Sequence, residues 1–352
     1  MESEHKAQNS FIPIPPDIEA SKDRAQWLDL AGLFIVHIKI YDRLRGLKKR
    51  TEKRGFNGSS QEKMAAGPRK GEIMRVSNIV DEVGGRIFGE YNGFTGLKTG
   101  LRAIDCYGGL RDGDLILIAA RPEMGKTDLL YEMIDEIAIN RKRVCVFFDF
   151  DRGCESFVHN FLLHITKAEK YKGVDVDYPD EKEKLADAIE KLKHSELQVF
   201  ECHAIEEIES ECRELYESTG IDLIVLDVND LRYIRHHDHT GKYGEIGVSD
   251  CLIRLKRLAK EMKCPVVITE ELPKSVDERE DKRPSIDDLG YPELEDYPDF
   301  TILLYRNSYY SIDQLDDDRM EITIARNLRG RNGSETVIYD RKTGEYRNVQ
   351  HE

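Results

Sequence analysis

Residues 115–127 read LILIAARPEMGKT, and their order decides the fold. The apolar run Leu115–Ala119 predicts a buried strand. The next eight residues, Ala120-Arg121-Pro122-Glu123-Met124-Gly125-Lys126-Thr127, match the phosphate loop that joins a strand to a helix, with Ala120 in place of the usual first glycine. In such a loop, backbone N–H groups and the positive end of the following helix converge on one anion. Lys126 would reach the β- and γ-phosphates of a nucleotide, and the Thr127 hydroxyl would sit on Mg²⁺. The bland reading is an accidental Gly-Lys-Thr at a turn. The flanking strand and the helix predicted over 126–140 argue against it.

A second element supports the first. In Ile221-Asp222-Leu223-Ile224-Val225-Leu226-Asp227, an apolar strand ends in a carboxylate. Ligands of open α/β sheets lie outside the carboxyl ends of the strands. Asp227 is there expected to hold Mg²⁺, although alone it reads as a strand-end cap. Around these motifs, strands (144–148, 197–202, 223–227, 266–269, 300–305, 320–325, 335–340) alternate with helices (156–167, 180–194, 205–218, 248–262). The continuous β-branched runs imply strands buried on both faces, hence a mainly parallel α/β sheet covered by helices.

The chain has 352 residues, 39% apolar and 34% charged, with a formal net charge of -15. Any nucleic-acid site must therefore be a local basic patch on an acidic protein. The seven cysteines form no C-x-x-C pair, so reduced thiols are expected. The polar start MESEHKAQNS shows no leader, and the apolar stretch 30–40 is too short to span a bilayer. A soluble cytoplasmic protein without a membrane partner is expected. Residues 1–70 read as an N-terminal helical extension with a helix at 21–46, then a basic run Arg43–Arg54 and a Gly/Ser-rich linker. Residues 71–92 read as a linker with a short helix at 73–83, and 93–352 as the nucleotide-binding domain.

Five segments together resemble a known family, the C-terminal motor domain of DnaB-type replicative helicases. They are FTGLKTGLRAIDCYGGLRDGDLILIAARPEMGKT (94–127), IDLIVLDVNDL (221–231), LKRLAKEMKCPVVITEELPKSVDEREDKRPSIDDL (255–289), FTILLYRNSYY (300–310) and ITIARNLRGRNG (322–333). Their order and spacing match over about residues 75–345. The resemblance implies a RecA-like domain, ATP and Mg²⁺ as cofactors, and a homo-oligomeric ring, hexameric by analogy, moving on single-stranded DNA. It also implies primase or loader contacts. By position, Arg329 and Arg331 correspond to the basic pair that reaches a neighbour's γ-phosphate, a cation placed to stabilise charge in phosphoryl transfer. DNA contacts would come from 232–244 and 274–285, with Arg232, Arg235, Lys242, Lys282 and Arg283 as candidates. Each of these, taken alone, reads equally as a solvated surface charge.

Two positions depart from the family. Its catalytic glutamate follows the second strand, where this chain reads Phe147-Phe148-Asp149-Phe150-Asp151-Arg152 and ungapped matching puts Phe150. Asp149 or Asp151 is then the candidate base. Glu271 stands where the family senses the γ-phosphate with glutamine, and a carboxylate there repels phosphate unless neutralised. These departures keep a second reading open, an ATP-binding helicase partner or loader with weak catalysis. The run His236-His237-Asp238-His239 lacks a second ligand cluster and reads as a polar loop rather than a metal site.

Overall fold

A computed structural model describes residues 96–150, 152–170, 178–237, 240–311 and 317–349. The helices expected at 21–46 and 73–83, the linkers, and Asp151 lie outside the described residues.

The element order follows the phosphate-loop logic. Strand β1 (Leu115–Ala120) leads into helix α1 (Lys126–Ile134), then β2 (Cys145–Asp149), α2 (Gly153–Thr166) and α3 (Pro179–Lys193). Next come β3 (Leu197–Phe200), α4 (Ile205–Thr219), β4 (Leu223–Asp227), β5 (Arg235–His237) and β6 (Tyr243–Glu245). Helix α5 (Val248–Met262) precedes β7 (Val266–Glu271), β8 (Phe300–Tyr305), β9 (Arg319–Asn327), β10 (Gly333–Tyr339) and β11 (Tyr346–Asn348). The main sheet runs β11-β10-β9-β8-β1-β7-β4-β2-β3. From β8 to β3 all neighbours are parallel, and β9 to β11 add an antiparallel edge.

Every residue of β1, β2 and β8 is buried, as the unbroken apolar runs require. Alternation splits β1 between two cores. Ile116, Ile118 and Ala120 face the side covered by α1 and α2, with Phe147, Phe157 and Phe161. Leu115, Leu117 and Ala119 face the side covered by α4 and α5. The Phe147 and Phe157 rings lie 4.3 Å apart, and removing such a fully buried ring costs about 3–5 kcal/mol.

The helix expected as one piece over 126–140 changes pitch: it is α-helical to Ile134 and a π-turn from Asp135 to Asn140. The segment 232–244, read as loop, forms the β5–β6 hairpin, with Arg235 opposite Glu245. The seven cysteines are all free, five of them buried. Among the described residues no helix is long and apolar enough to cross a membrane.

The sheet order has one consequence for chemistry. The carboxyl ends of β1, β7, β4 and β2 are adjacent, so the phosphate loop, Glu271, Asp227 and Asp149 share one edge. Register pairs Ala120 with Glu271, and Asp149 with Asp227.

Candidate functional site

The loop is built by its backbone. Ala120 ends β1 and its carbonyl accepts from Leu272 N–H at 3.0 Å. After it the chain turns through Pro122 and Glu123, whose φ of 56° lies in the left-handed region. Gly125 follows at φ 107°, and a Cβ there would meet Tyr346 Oη at 2.7 Å. Glycine is therefore required at that position on both counts. Met124 is buried and anchors the loop to the core. Arg121 serves the loop from outside: Nη2 donates to Asp277 Oδ2 at 2.7 Å and Nη1 to Leu272 O at 2.6 Å. Its side chain is a tether to the segment after β7.

Lys126, Thr127 and Asp227 come together as their motifs imply. Thr127 Oγ1 donates to Asp227 Oδ2 at 2.8 Å, and Thr269 Oγ1 donates to Asp227 Oδ1 at 2.9 Å. Burial pushes the Asp227 pKa up, against the hydrogen bonds from Thr127 and Thr269 and the nearby Lys126 charge. A hydroxyl at the start of α1 and a carboxylate at the end of β4 are hard oxygen donors of the kind Mg²⁺ takes. Lys126 is only 5% exposed, and its Nζ lies 3.4 Å from Ala120 O and 3.8 Å from Glu271 Oε1. Burial lowers its pKa from the ordinary lysine value, while Glu271, Asp227 and Glu270 pull it back up. Glu270, accepting from Leu231 N–H, has its own pKa raised by burial to about 8.

Asp149 is buried at the end of β2, and its Oδ1 accepts from Arg152 N–H at 2.9 Å. The bond orients the carboxylate at the start of α2. Arg329 and Arg331 lie away from the loop, on the β9–β10 turn. Arg329 Nη2 pairs with Asp114 Oδ1 at 2.5 Å, at the amino end of β1, and Arg331 lies over the Tyr107 ring at 5.1 Å. Within one chain, therefore, neither joins its own loop, and burial raises the Asp114 pKa to about 6 despite Arg329.

The DNA candidates are engaged within the chain. Arg232 pairs with Asp230 at 2.5 Å and Arg235 with Glu245 at 3.7 Å. Lys282 donates to Arg279 O at 3.0 Å, and Arg283 pairs with Glu321 at 2.7 Å and covers the Tyr305 ring. Lys242 lies on the exposed β5–β6 turn. All five thus hold intramolecular partners. Among the described residues no three His, Cys, Asp or Glu are grouped to hold a metal ion, and Asp238 and His239 lie outside them.

Sequence reasoning missed Thr269, Asp277, Arg306 and Tyr346. Thr269 carries a weak signal as a polar residue in an apolar strand. The others reach the loop from distant elements and carry none.

Comparison with known proteins agrees with this geometry. Residues 96–348 match the family described as DnaB-like helicase C terminal domain. The chain is 27% identical over 263 residues to the replicative DNA helicase DnaB of Geobacillus stearothermophilus, covering 73% of this chain and 57% of that protein. It is 30% identical over 227 residues to DnaB of Buchnera aphidicola subsp. Baizongia pistaciae, covering 62% and 48%. The chain thus spans about half the length of the curated relatives it matches. Among solved structures, one described as an ATPase domain superposes with a TM-score of 0.71 at 22% identity, covering 79% of this chain and 100% of that one. A DnaB-like replicative helicase, described with its interactions with primase, gives 0.70 at 19% identity, covering 93% and 76%. These two likenesses show the fold alone, a RecA-like domain with a mainly parallel sheet. With the family match spanning most of its length, this chain belongs to the DnaB-like helicase C-terminal domain family.

Proposed function

We propose that this chain is the ATP-hydrolysing motor of a replicative-type DNA helicase, working as a homo-oligomeric ring, hexameric by analogy, on single-stranded DNA. The observation that carries the reading is the Thr127–Asp227 hydrogen bond beside buried Lys126, which joins two motifs a hundred residues apart at the carboxyl edge of the sheet. Loop residues Ala120 to Gly125 present backbone to the phosphates, Lys126 neutralises their charge, and Thr127 and Asp227 hold Mg²⁺. The bound metal ion supplies charge neutralisation to the β- and γ-phosphates. Asp149 or Asp151 orients the attacking water and takes its proton. Arg329 and Arg331 face away from their own loop, so they serve a neighbouring subunit, which makes the ring a condition of turnover. Arg232, Arg235, Lys242, Lys282 and Arg283 add weak phosphate contacts that sum around the ring. Cytoplasmic location, and primase or a loader as partner, complete the reading.

A second reading is an ATP-binding helicase partner with weak catalysis, and the Lys126–Glu271 pair favours it. Steady-state ATPase with and without single-stranded DNA separates the two, beside mass photometry in Mg·ATP. The motor reading expects DNA-stimulated turnover, a ring-sized species, and loss of nucleotide binding in Lys126→Ala. Binding without DNA-stimulated turnover, or a strict monomer in every nucleotide state, overturns it in favour of the partner.

A further inference from the structure

Two side chains outside the phosphate-loop motif reach its backbone. Arg306, just after β8, is 4% exposed, and its Nη2 donates to Glu123 O at 2.8 Å. Its guanidinium lies 5.0 Å from the centre of the Tyr339 ring, and its Nε is buried without a hydrogen-bond partner. Tyr346, which opens β11, is 2% exposed, and its Oη donates to Gly125 O at 2.9 Å. Its ring packs on Tyr339 with centroids 4.8 Å apart.

A buried guanidinium is costly to desolvate, and core arginines are normally matched by a carboxylate. No described carboxylate is within ion-pairing distance of Arg306. An apolar side chain would pack there at lower cost, so the charge points to an anion that the folded chain does not itself supply. Its position beneath the phosphate loop identifies that anion as phosphate. The carbonyl and N–H of one peptide point to opposite sides of the chain. Holding Gly125 C=O toward the core therefore turns Lys126 N–H outward, toward the phosphate position.

We propose that Arg306 and Tyr346 are positioning residues for the nucleotide phosphates: they pin the Glu123 and Gly125 carbonyls inward and place a buried positive charge beneath the cradle. The proposal rests on the nucleotide reading above. Tyr346→Phe isolates the first part. The ring stays packed and Gly125 O keeps its bond from Leu129 N–H at 2.9 Å, so no acceptor is orphaned. Arg306→Lys keeps the charge, and Arg306→Gln removes it.

The experiment is calorimetric titration of Mg·ATP into wild type, the three variants and Lys126→Ala, with melting temperatures taken without nucleotide. Tyr346→Phe is expected to weaken binding about three- to tenfold, the span of one net hydrogen bond, with only a small drop in melting temperature. Arg306→Lys should retain more affinity than Arg306→Gln. Wild-type affinity in Tyr346→Phe, when Lys126→Ala has lost binding, overturns the positioning role of the hydroxyl. Equal affinities of the two Arg306 variants overturn the charge role, and decide the matter if Tyr346→Phe does not fold. Unchanged binding in Lys126→Ala overturns the nucleotide reading itself, and is distinguishable from either.

Discussion

The Lys126 ammonium and the Glu271 carboxylate lie 3.8 Å apart, one at the start of α1 and the other at the end of β7. Lys126 is buried and Glu271 is 44% exposed on its side chain, so the lysine is held in place while the carboxylate is free to swing out. Before nucleotide arrives, Glu271 partly neutralises the charge that phosphate would meet. If Lys126 takes the phosphates as proposed, phosphate and Glu271 compete for one cation.

Glu271→Gln removes the competitor without changing its shape. It is expected to tighten Mg·ATP binding about two- to fivefold, the scale of a half-exposed ion pair. Calorimetry at low salt measures it. Weaker binding in the variant would mean that Glu271 helps hold the nucleotide, and the competition argument would be wrong.

Asp149 sits in register with Asp227 at the ends of neighbouring strands. If it is the base, Asp149→Asn should cut turnover by about two to four orders of magnitude and spare ATP binding. If Asp151 is the base, the same pattern appears in Asp151→Asn. Single-turnover hydrolysis, with binding measured in parallel, reads both. Wild-type turnover in each variant would remove both from the mechanism.

Asp114 gives a pH prediction. Its pKa rises from an ordinary 3.8 to about 6 because burial outweighs the pairing with Arg329. The fold therefore favours the protonated form. That stability is fully present below the unfolded value and is lost as pH rises through the folded one. Asp114→Asn is neutral throughout, so it should be more stable than wild type above about pH 7, by at most about 3 kcal/mol, and nearly equal near pH 4. Urea unfolding across that span tests it. A variant less stable than wild type at every pH would show that the Arg329 pair outweighs burial.

Much of the fold was legible in the sequence because burial writes itself into long apolar runs. The bounds read for Leu223–Asp227, Val248–Met262 and Phe300–Tyr305 are those of β4, α5 and β8. The loop residues were legible because glycine, lysine and threonine at that spacing have one common use. The β5–β6 hairpin was not legible. Its strands are three residues each, without an aliphatic side chain, and they are held from α4: His237 N–H donates to Glu206 and Tyr243 Oη to Glu207. The π-turn at Asp135–Asn140 was hidden too, because its buried residues also fit an α-helical period.

By itself the sequence determined which residues could form a phosphate cradle, which strands would be buried, and where this chain departs from its family. Tertiary structure alone decided which distant groups meet the loop. Glu271 reaches Lys126 because β7 lies beside β1 in the sheet, and Arg329 pairs with Asp114 because the β9–β10 turn folds back to the amino end of β1. Arg306 and Tyr346 touch the loop because β8 ends and β11 begins near it. Strand order and edge packing come from the closing of the whole core, and local residue patterns along one segment carry no record of them.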